Sequence, residues 1–429
     1  MSDTHSQLAF VRTEMLAQKE PPVAEKGVVK WVRSNLFSSW SNSILTVVAL
    51  YLIVQLIMNA GPWFANGIWS TNSLAECREI LQGASGGCFS VLSERWNQLL
   101  FGIAYPDTQY WRPTLAFVLM LVAASPVLFS KLPRGMLIFT GLYPFLAYWL
   151  IWGGTMMTSI IALLGFVAAY LAFRKAERAG FSIGLGAGII AAVVVWKVLG
   201  MFAGELSILP LEEVPSRNMG GFMLNMMLGT ICISLSLPIG IALALGRQSH
   251  MPIIKGISVV FIEFIRGVPL ITLLFVANVV LGYFFPPETN MDLILRVIIM
   301  ITMFASAYIA EVIRGGLAAL PKGQYEAADS LGLDYTQAMR FIILPQALKI
   351  SIPGIVNVAV GLFKDTTLVS VISMFDLVGM IRGPILASTE WNGVYWELYG
   401  FAALLFFITC YGISQYSQWL ERQLRTDHR

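Results

Sequence analysis

The sequence predicts an all-α, polytopic membrane protein of about ten transmembrane helices. Of the 429 residues, 57% are hydrophobic and only 12% are charged, where soluble domains carry about a quarter charged residues. Mean hydropathy is +0.71, which suits a chain in lipid rather than one folded around an ordinary core. Apolar runs of about 20 residues, the length that crosses the hydrocarbon layer as a helix, recur along most of the chain.

Residues 1–42 are polar and mixed in charge, with Pro21 and Pro22. They are expected to form a disordered or surface tail on the cytoplasmic side, not a cleavable signal. Spans are then expected over 43–60, 113–130, 135–152, 155–173, 183–203, 221–246, 257–284, 293–315, 342–362 and 396–419. Only Gly153-Gly154 separates the third from the fourth. The stretch 363–395 is moderately apolar and broken by Gly379, Gly383 and Pro384. It reads as a re-entrant or interfacial piece, which protein must cover because irregular backbone cannot face lipid. Glu212, Glu213, Pro215, Ser216 and Arg217 make a polar break near residue 215. It divides a transmembrane region over 43–215, with a long loop at 61–112, from a second region over 216–425. No internal repeat supports an inverted-repeat carrier.

Lys and Arg near span ends set the orientation. One set of connections holds sixteen, from Lys26, Lys30 and Arg33 through Arg247, Lys255, Arg314, Lys322 and Arg340 to Arg422, Arg425 and Arg429. The opposite set holds six: Arg78, Arg95, Arg112, Arg217, Lys364 and Arg382. Both termini are therefore expected in the cytoplasm and the 61–112 loop outside. Cys77 and Cys88 lie in that loop, at a spacing that fits neither zinc nor a CxxC redox motif. An oxidising compartment would join them as a disulfide; the alternative is two unpaired thiols. Cys232 and Cys410 sit in apolar runs, as small buried hydrophobes do.

Between the eighth and ninth spans runs a stretch expected to be cytoplasmic and to form two short helices, one from Gln324 to Leu331 and a second up to Pro345. Gly332 suits a C-terminal cap with positive φ between them. Ala327, Ala328 and Leu331 are three and four apart, giving one apolar face on an exposed element. Such a helix invites insertion into a groove on a partner protein.

The stretch resembles the EAA loop of ABC-importer permeases: Glu-Ala-Ala, three residues, Gly, nine residues, then Ile-x-Leu-Pro. Glu326, Ala327, Ala328, Gly332, Ile342, Leu344 and Pro345 match every position. The flanks, Glu263-Phe-Ile-Arg266-Gly267-Val-Pro269, Ala310-Glu311-Val-Ile-Arg314-Gly315-Gly316 and Lys364-Asp365-Thr366-Thr367, are similar to the polar-amino-acid group of those permeases. Tyr110-Trp111-Arg112-Pro113 is similar to larger permease subunits of general L-amino-acid importers. The resemblance implies a five-helix type I importer core over 216–425, with its EAA loop at 322–345 docked into a separate ABC ATPase through Glu326, Ala327, Ala328 and Gly332. It further implies a pair of ATPases, a second permease subunit, a periplasmic amino-acid-binding protein, an amino-acid substrate, and a place in a bacterial inner membrane. The chain contains no Walker A sequence, so ATP and Mg would be bound by the partner ATPase and this chain would need no cofactor.

Charges inside a membrane are costly and need a reason. Glu263 and Arg266 are three apart on one helical face and can pair, either as a structural ion pair or beside the substrate. Glu311 and Arg314 repeat that spacing near the loop. A zwitterionic amino acid needs a donor for its carboxylate and an acceptor for its ammonium. Lys364, Thr366 or Thr367 could supply the first, and Asp365 or Asn357 the second. The other reading is that Lys364 and Asp365 pair with each other and hold a broken helix. The rival function is an ion-coupled secondary amino-acid transporter. An enzyme would need a catalytic constellation: HExxH and GxSxG are missing, no acidic metal cluster stands out, and the three histidines, His5, His250 and His428, lie outside the spans. A net charge of +3 gives no nucleic-acid signal.

Overall fold

A computed structural model describes residues 27–129, 131–202, 208–280, 283 and 291–424. Residues 1–26 of the tail expected over 1–42, and Arg425 and Arg429, lie outside the described residues; residues 27–35 of that tail are helical. Contacts divide the chain into two units, residues 1–67 with 81–87, and residues 68–80 with 88–429. In the first unit, α1 (Gly27–Asn35) leads to α2 (Trp40–Ala65). Ser39 caps α2 by accepting from the Asn42 amide at 3.2 Å. Beyond it, Asn66 Nδ2 donates to the Ser85 carbonyl at 3.0 Å.

The second unit begins with short helices α3 (Leu74–Leu81), α4 (Ser90–Glu94) and α5 (Trp96–Phe101). Cys77 and Cys88 are joined as a disulfide with Cα atoms 6.2 Å apart. The stapled loop and the Arg95 that follows it are tied to residues about 300 positions away. The Leu74 amide donates to the Glu390 carbonyl at 2.9 Å, the Cys88 amide to Glu397 Oε1 at 2.8 Å, and Arg95 pairs with the Glu390 carboxylate. Wholly buried Trp391 lies beside these contacts in sequence. Closing a loop of this length contributes about 2–3 kcal/mol, so Cys77→Ser should loosen the segment. Intact mass after alkylation without reductant checks the pairing, and two alkylated thiols would refute it.

Long helices follow: α6 (Trp111–Leu128), α7 (Met136–Trp152), α8 (Met156–Ala176), α9 (Phe181–Gly200), α10 (Gly221–Gln248), α11 (Pro252–Gly267), α12 (Leu270–Phe275) running into a π turn at Val276–Val280, and α13 (Leu293–Ala318). The loop helices are α14 (Lys322–Ser330) and α15 (Tyr335–Ala338) with a π turn at Met339–Ile343. Then come α16 (Leu344–Asp365), α17 (Leu377–Met380) and α18 (Tyr395–Leu424). Among the described residues eight helices are long and apolar enough to cross a membrane, nine with the bent pair α11–α12. The remaining expected span is α7, apolar over 17 residues and so about 25 Å long.

Two expectations are corrected. The seventh span, drawn as one run over 257–284 with a helix break expected near Pro269, is two helices bent by 102°. Val268 is extended (φ −109°, ψ 134°), because a residue before proline is driven from the helical region. The second loop helix does not stop at Pro345. The helix runs on without a break from α15 through the π turn into α16, and Pro345 lies where the π turn meets α16.

The core joins α10 to its neighbours. Leu224, Leu228 and Cys232 meet Leu270 and Leu274, Ile294, Val297 and Ile301, and Leu362 and Val369. Tyr105, Ala116, Leu150 and Val214 belong to the same cluster, so residues on both sides of position 215 share one core. Small residues permit the crossings, as in membrane bundles generally. A Cβ on Gly240 would lie 2.6 Å from Ile309 Cγ2, and one on Gly354 would lie 2.5 Å from Val312 Cγ1.

Candidate functional site

The loop between α13 and α16 is built from local sequence. At the end of α14, the Leu333 amide donates to the Ala328 carbonyl (3.3 Å) and the Gly332 amide to the Asp329 carbonyl (2.9 Å). Gly332 has φ +69°. These two bonds and the left-handed glycine make a Schellman motif. Asp334 then opens α15 with a capping box: its Oδ1 accepts from the Gln337 amide (2.8 Å), and Gln337 Oε1 accepts from the Asp334 amide (3.2 Å). Gln346 Nε2 on α16 donates to Gln324 Oε1 on α14 at 2.9 Å, linking the loop helix directly to a spanning helix.

The expected apolar face is only partly presented. Ala327 is exposed, with Glu326, and Leu331 is 73% exposed. Ala328 is completely buried within the chain, so its side chain supports the loop from inside rather than facing outward.

Ahead of the loop in sequence, five charges from three helices converge. Arg247 Nη1 on α10 donates to Glu263 Oε1 on α11 at 2.8 Å and lies 3.5 Å from Glu311 Oε2 on α13. Arg266 Nη1 is 3.8 Å from Glu311 Oε2, and Arg314 Nε donates to Glu311 Oε1 at 2.8 Å. Arg266 also lies over the Tyr308 ring at 5.7 Å. The i, i+3 pair Glu311–Arg314 forms as the spacing predicts. The pairing expected between Glu263 and Arg266 does not: each turns to a different helix, because α10 and α13 offer opposite charges at shorter reach than the neighbouring turn does.

The residues proposed beside a pathway divide into two groups. Asn357 and Lys364 are exposed on α16, seven residues and so about two turns apart, which places them on one face. Asp365 and Thr367 are half-buried, with Thr367 Oγ1 donating to the Lys364 carbonyl at 2.9 Å. Thr366 points the other way and is completely buried. Its hydroxyl donates to the Phe363 carbonyl (2.7 Å) and accepts from Asn225 Nδ2 (2.9 Å). Asn225 Nδ2 also reaches Asp376 Oδ2 (3.1 Å), and Asn225 Oδ1 accepts from the Leu377 amide (3.1 Å). Asp376 caps α17 through the Val378 and Gly379 amides (3.2 and 3.0 Å). Burial pushes the Asp376 carboxyl above its ordinary range, against the pull of those amides and of Asn225. Thr366 is therefore part of an internal polar knot that holds the irregular segment after α16. Sequence reading missed Asn225 and Asp376. A lone asparagine in an apolar helix and an aspartate three before a glycine were the available signals.

A third residue whose role was missed is Arg112, read from the sequence as an outside charge and as part of the Tyr110-Trp111-Arg112-Pro113 resemblance. It is completely buried. Its Nε donates to the Leu150 carbonyl (2.7 Å), Nη1 to Glu212 O (2.8 Å) and Nη2 to Ile151 O (3.4 Å). Leu150 and Ile151 end α7, so the cation meets the negative end of a helix dipole. Gly153 has φ +81°, and a Cβ there would lie 2.6 Å from Arg112 Nη2.

Residues 236–425 match the family described as binding-protein-dependent transport system inner membrane component. The glutamate/glutamine/aspartate/asparagine transport system permease protein BztC of Rhodobacter capsulatus is 52% identical, over 100% of both chains. The chain belongs to the amino-acid permeases of ABC transporters. The inner membrane amino-acid ABC transporter permease protein YhdY of Escherichia coli is 40% identical over 92% of this permease and 93% of its own length. A solved amino acid ABC transporter with histidines shares 31% identity over 48% of the permease and 92% of its own chain, with a TM-score of 0.43. The permease is thus a multi-pass transport subunit of an ATP-driven system, not an ion-coupled carrier. The family match contains the loop, the charge cluster and α16. The stapled loop and Arg112 lie ahead of it, within the part shared with the full-length relatives.

Proposed function

We propose that the permease pairs with a second permease subunit to import acidic amino acids and their amides, driven by a separate pair of ATPases. What carries this reading is the full-length similarity to a permease named for those four solutes, together with a capped, exposed loop helix linked to α16 by Gln324–Gln346. The ATPase docks on Glu326, Ala327 and the Gly332 turn, with Ala328 as internal support, and ATP and Mg stay on that partner. Closure of the ATPases pushes α14. The bond to Gln346 passes the push to α16, and the spanning helices reorient from inward-facing to outward-facing. A binding protein delivers solute to the opposite side, where the stapled loop stands. The coupling loop over 322–345 and both termini lie in the cytoplasm, and the bilayer is a bacterial inner membrane.

On α16, Asn357 and Lys364 expose polar groups that lipid would not solvate, which suits a face turned to the pathway. Lys364 matches a carboxylate of the solute, Asp365 its ammonium, and Thr367 offers a hydroxyl beside them; Glu263 serves the cluster that frames the lower path. Reconstitution with the ATPase and binding protein in liposomes tests the assignment: glutamate uptake should require enclosed ATP, and uptake without the ATPase would sink it. In the same assay Asp365→Asn should lower uptake about tenfold, the loss of one charged contact, with ATPase recovery unchanged. Wild-type uptake would reduce Asp365 to scaffolding.

A further inference from the structure

A cavity of about 620 Å³ opens beside the coupling loop, between the end of α10, the turn into α11, and α15 with its π turn. It has two chemically different parts. Leu245 and Met339 contribute to an apolar wall, while Ser249, His250, Thr336 and Arg340 supply hydroxyl, imidazole and guanidinium groups. No acidic side chain lines it. The nearest acid in sequence, Asp334, is occupied in the α15 cap. Arg340 is exposed, stacked at 5.6 Å on the Phe341 ring, and no carboxylate among the described residues pairs with it.

The surroundings decide what kind of anion fits. Phe341, next to Arg340, is 65% exposed, and Ile253, past the turn from His250, is 74% exposed. Large apolar side chains beside an unpaired cation, at the ends of spanning helices, mark the level where hydrocarbon meets headgroups. A free phosphate would use the cation and leave the apolar wall wet. A phospholipid uses both, and basic pockets between spanning helices on the cytoplasmic side are suited to anionic headgroups.

We propose that this cavity binds the phosphate headgroup of an anionic phospholipid, with Arg340 and His250 on the phosphate and the acyl chains against the apolar wall. The lipid braces α15 and the π turn, and so steadies the coupling loop from the membrane side. The inference rests on the cytoplasmic placement of the loop proposed above. Labelling of single cysteines at Thr108 and Gln337 from opposite sides tests that placement separately.

The intact transporter, purified in mild detergent after equilibration with vesicles of phosphatidylglycerol and phosphatidylethanolamine, is analysed by native mass spectrometry. Wild type should retain phosphatidylglycerol in preference to phosphatidylethanolamine, and millimolar inorganic phosphate should not displace it. Arg340→Gln should lower retention roughly fivefold, the effect of one basic residue at a lipid surface, and His250→Gln should lower it further in combination. Size-exclusion profiles should stay unchanged, since both side chains are exposed. Equal retention in the variants would overturn the proposal. So would displacement by phosphate, which would mean a free-anion site. A variant that loses the ATPase while keeping its lipid would mean that the partner protein fills the cavity instead.

Discussion

Gly332→Asp should abolish ATP-driven uptake while the permease remains folded in its membrane. Within the chain the change costs little. A Cβ on Gly332 meets nothing within 4 Å, and the left-handed φ of +69° costs an L-residue about 1–2 kcal/mol, least for Asp and Asn. The damage should arise at the partner. The new carboxylate would project from the turn next to Ala327 and Leu331, two exposed apolar residues of the loop. In a docked groove it would be buried without a counter-charge, at a cost of about 3–5 kcal/mol, or more than 100-fold in docking. Pull-down of the ATPase with wild type and variant, alongside uptake, decides it. Equal recovery with normal uptake would show that this loop does not couple the two proteins. Gly332→Ala carries the strain without the charge and should give an intermediate loss.

Arg112→Leu should have the largest effect on folding. The guanidinium supplies three hydrogen bonds to carbonyls of Leu150, Ile151 and Glu212, two of them at the open end of α7. In a buried setting each orphaned carbonyl costs about 1–3 kcal/mol, so the variant should lose roughly 3 kcal/mol or more. Fluorescence-detected size exclusion should show aggregation and a fall in the monodisperse peak. Arg112→Lys should rescue only in part, because one ammonium cannot follow the planar fork that reaches three acceptors. A Leu variant as stable and active as wild type would refute the staple.

Arg112 also shows where sequence reading stopped. Its position before an apolar run marked it as a loop charge, and nothing local reports that carbonyls 38 to 100 residues away close around it. The coupling loop was legible for the opposite reason. Its glycine turn was read because it is a short-range device; the Asp334–Gln337 capping box is just as local but went unread in the sequence. The pair Glu263–Arg266 has the right spacing on one helix, yet Arg247 takes Glu263 and Glu311 draws Arg266. Intrahelical spacing says only which groups can meet, while helix packing says which do.

The sequence by itself determined that this is a bundle of membrane helices, where most of those helices run, and which loop resembles a coupling element, because lipid demands long apolar runs and caps are local. The tertiary structure alone decided the facing of individual side chains. Ala328 turns inward while Ala327 turns out, and Thr366 joins Asn225 and Asp376 inside while Lys364 stays exposed. Neighbouring residues on one helix part company in this way because each helix's rotation about its axis is set by the helices it packs against.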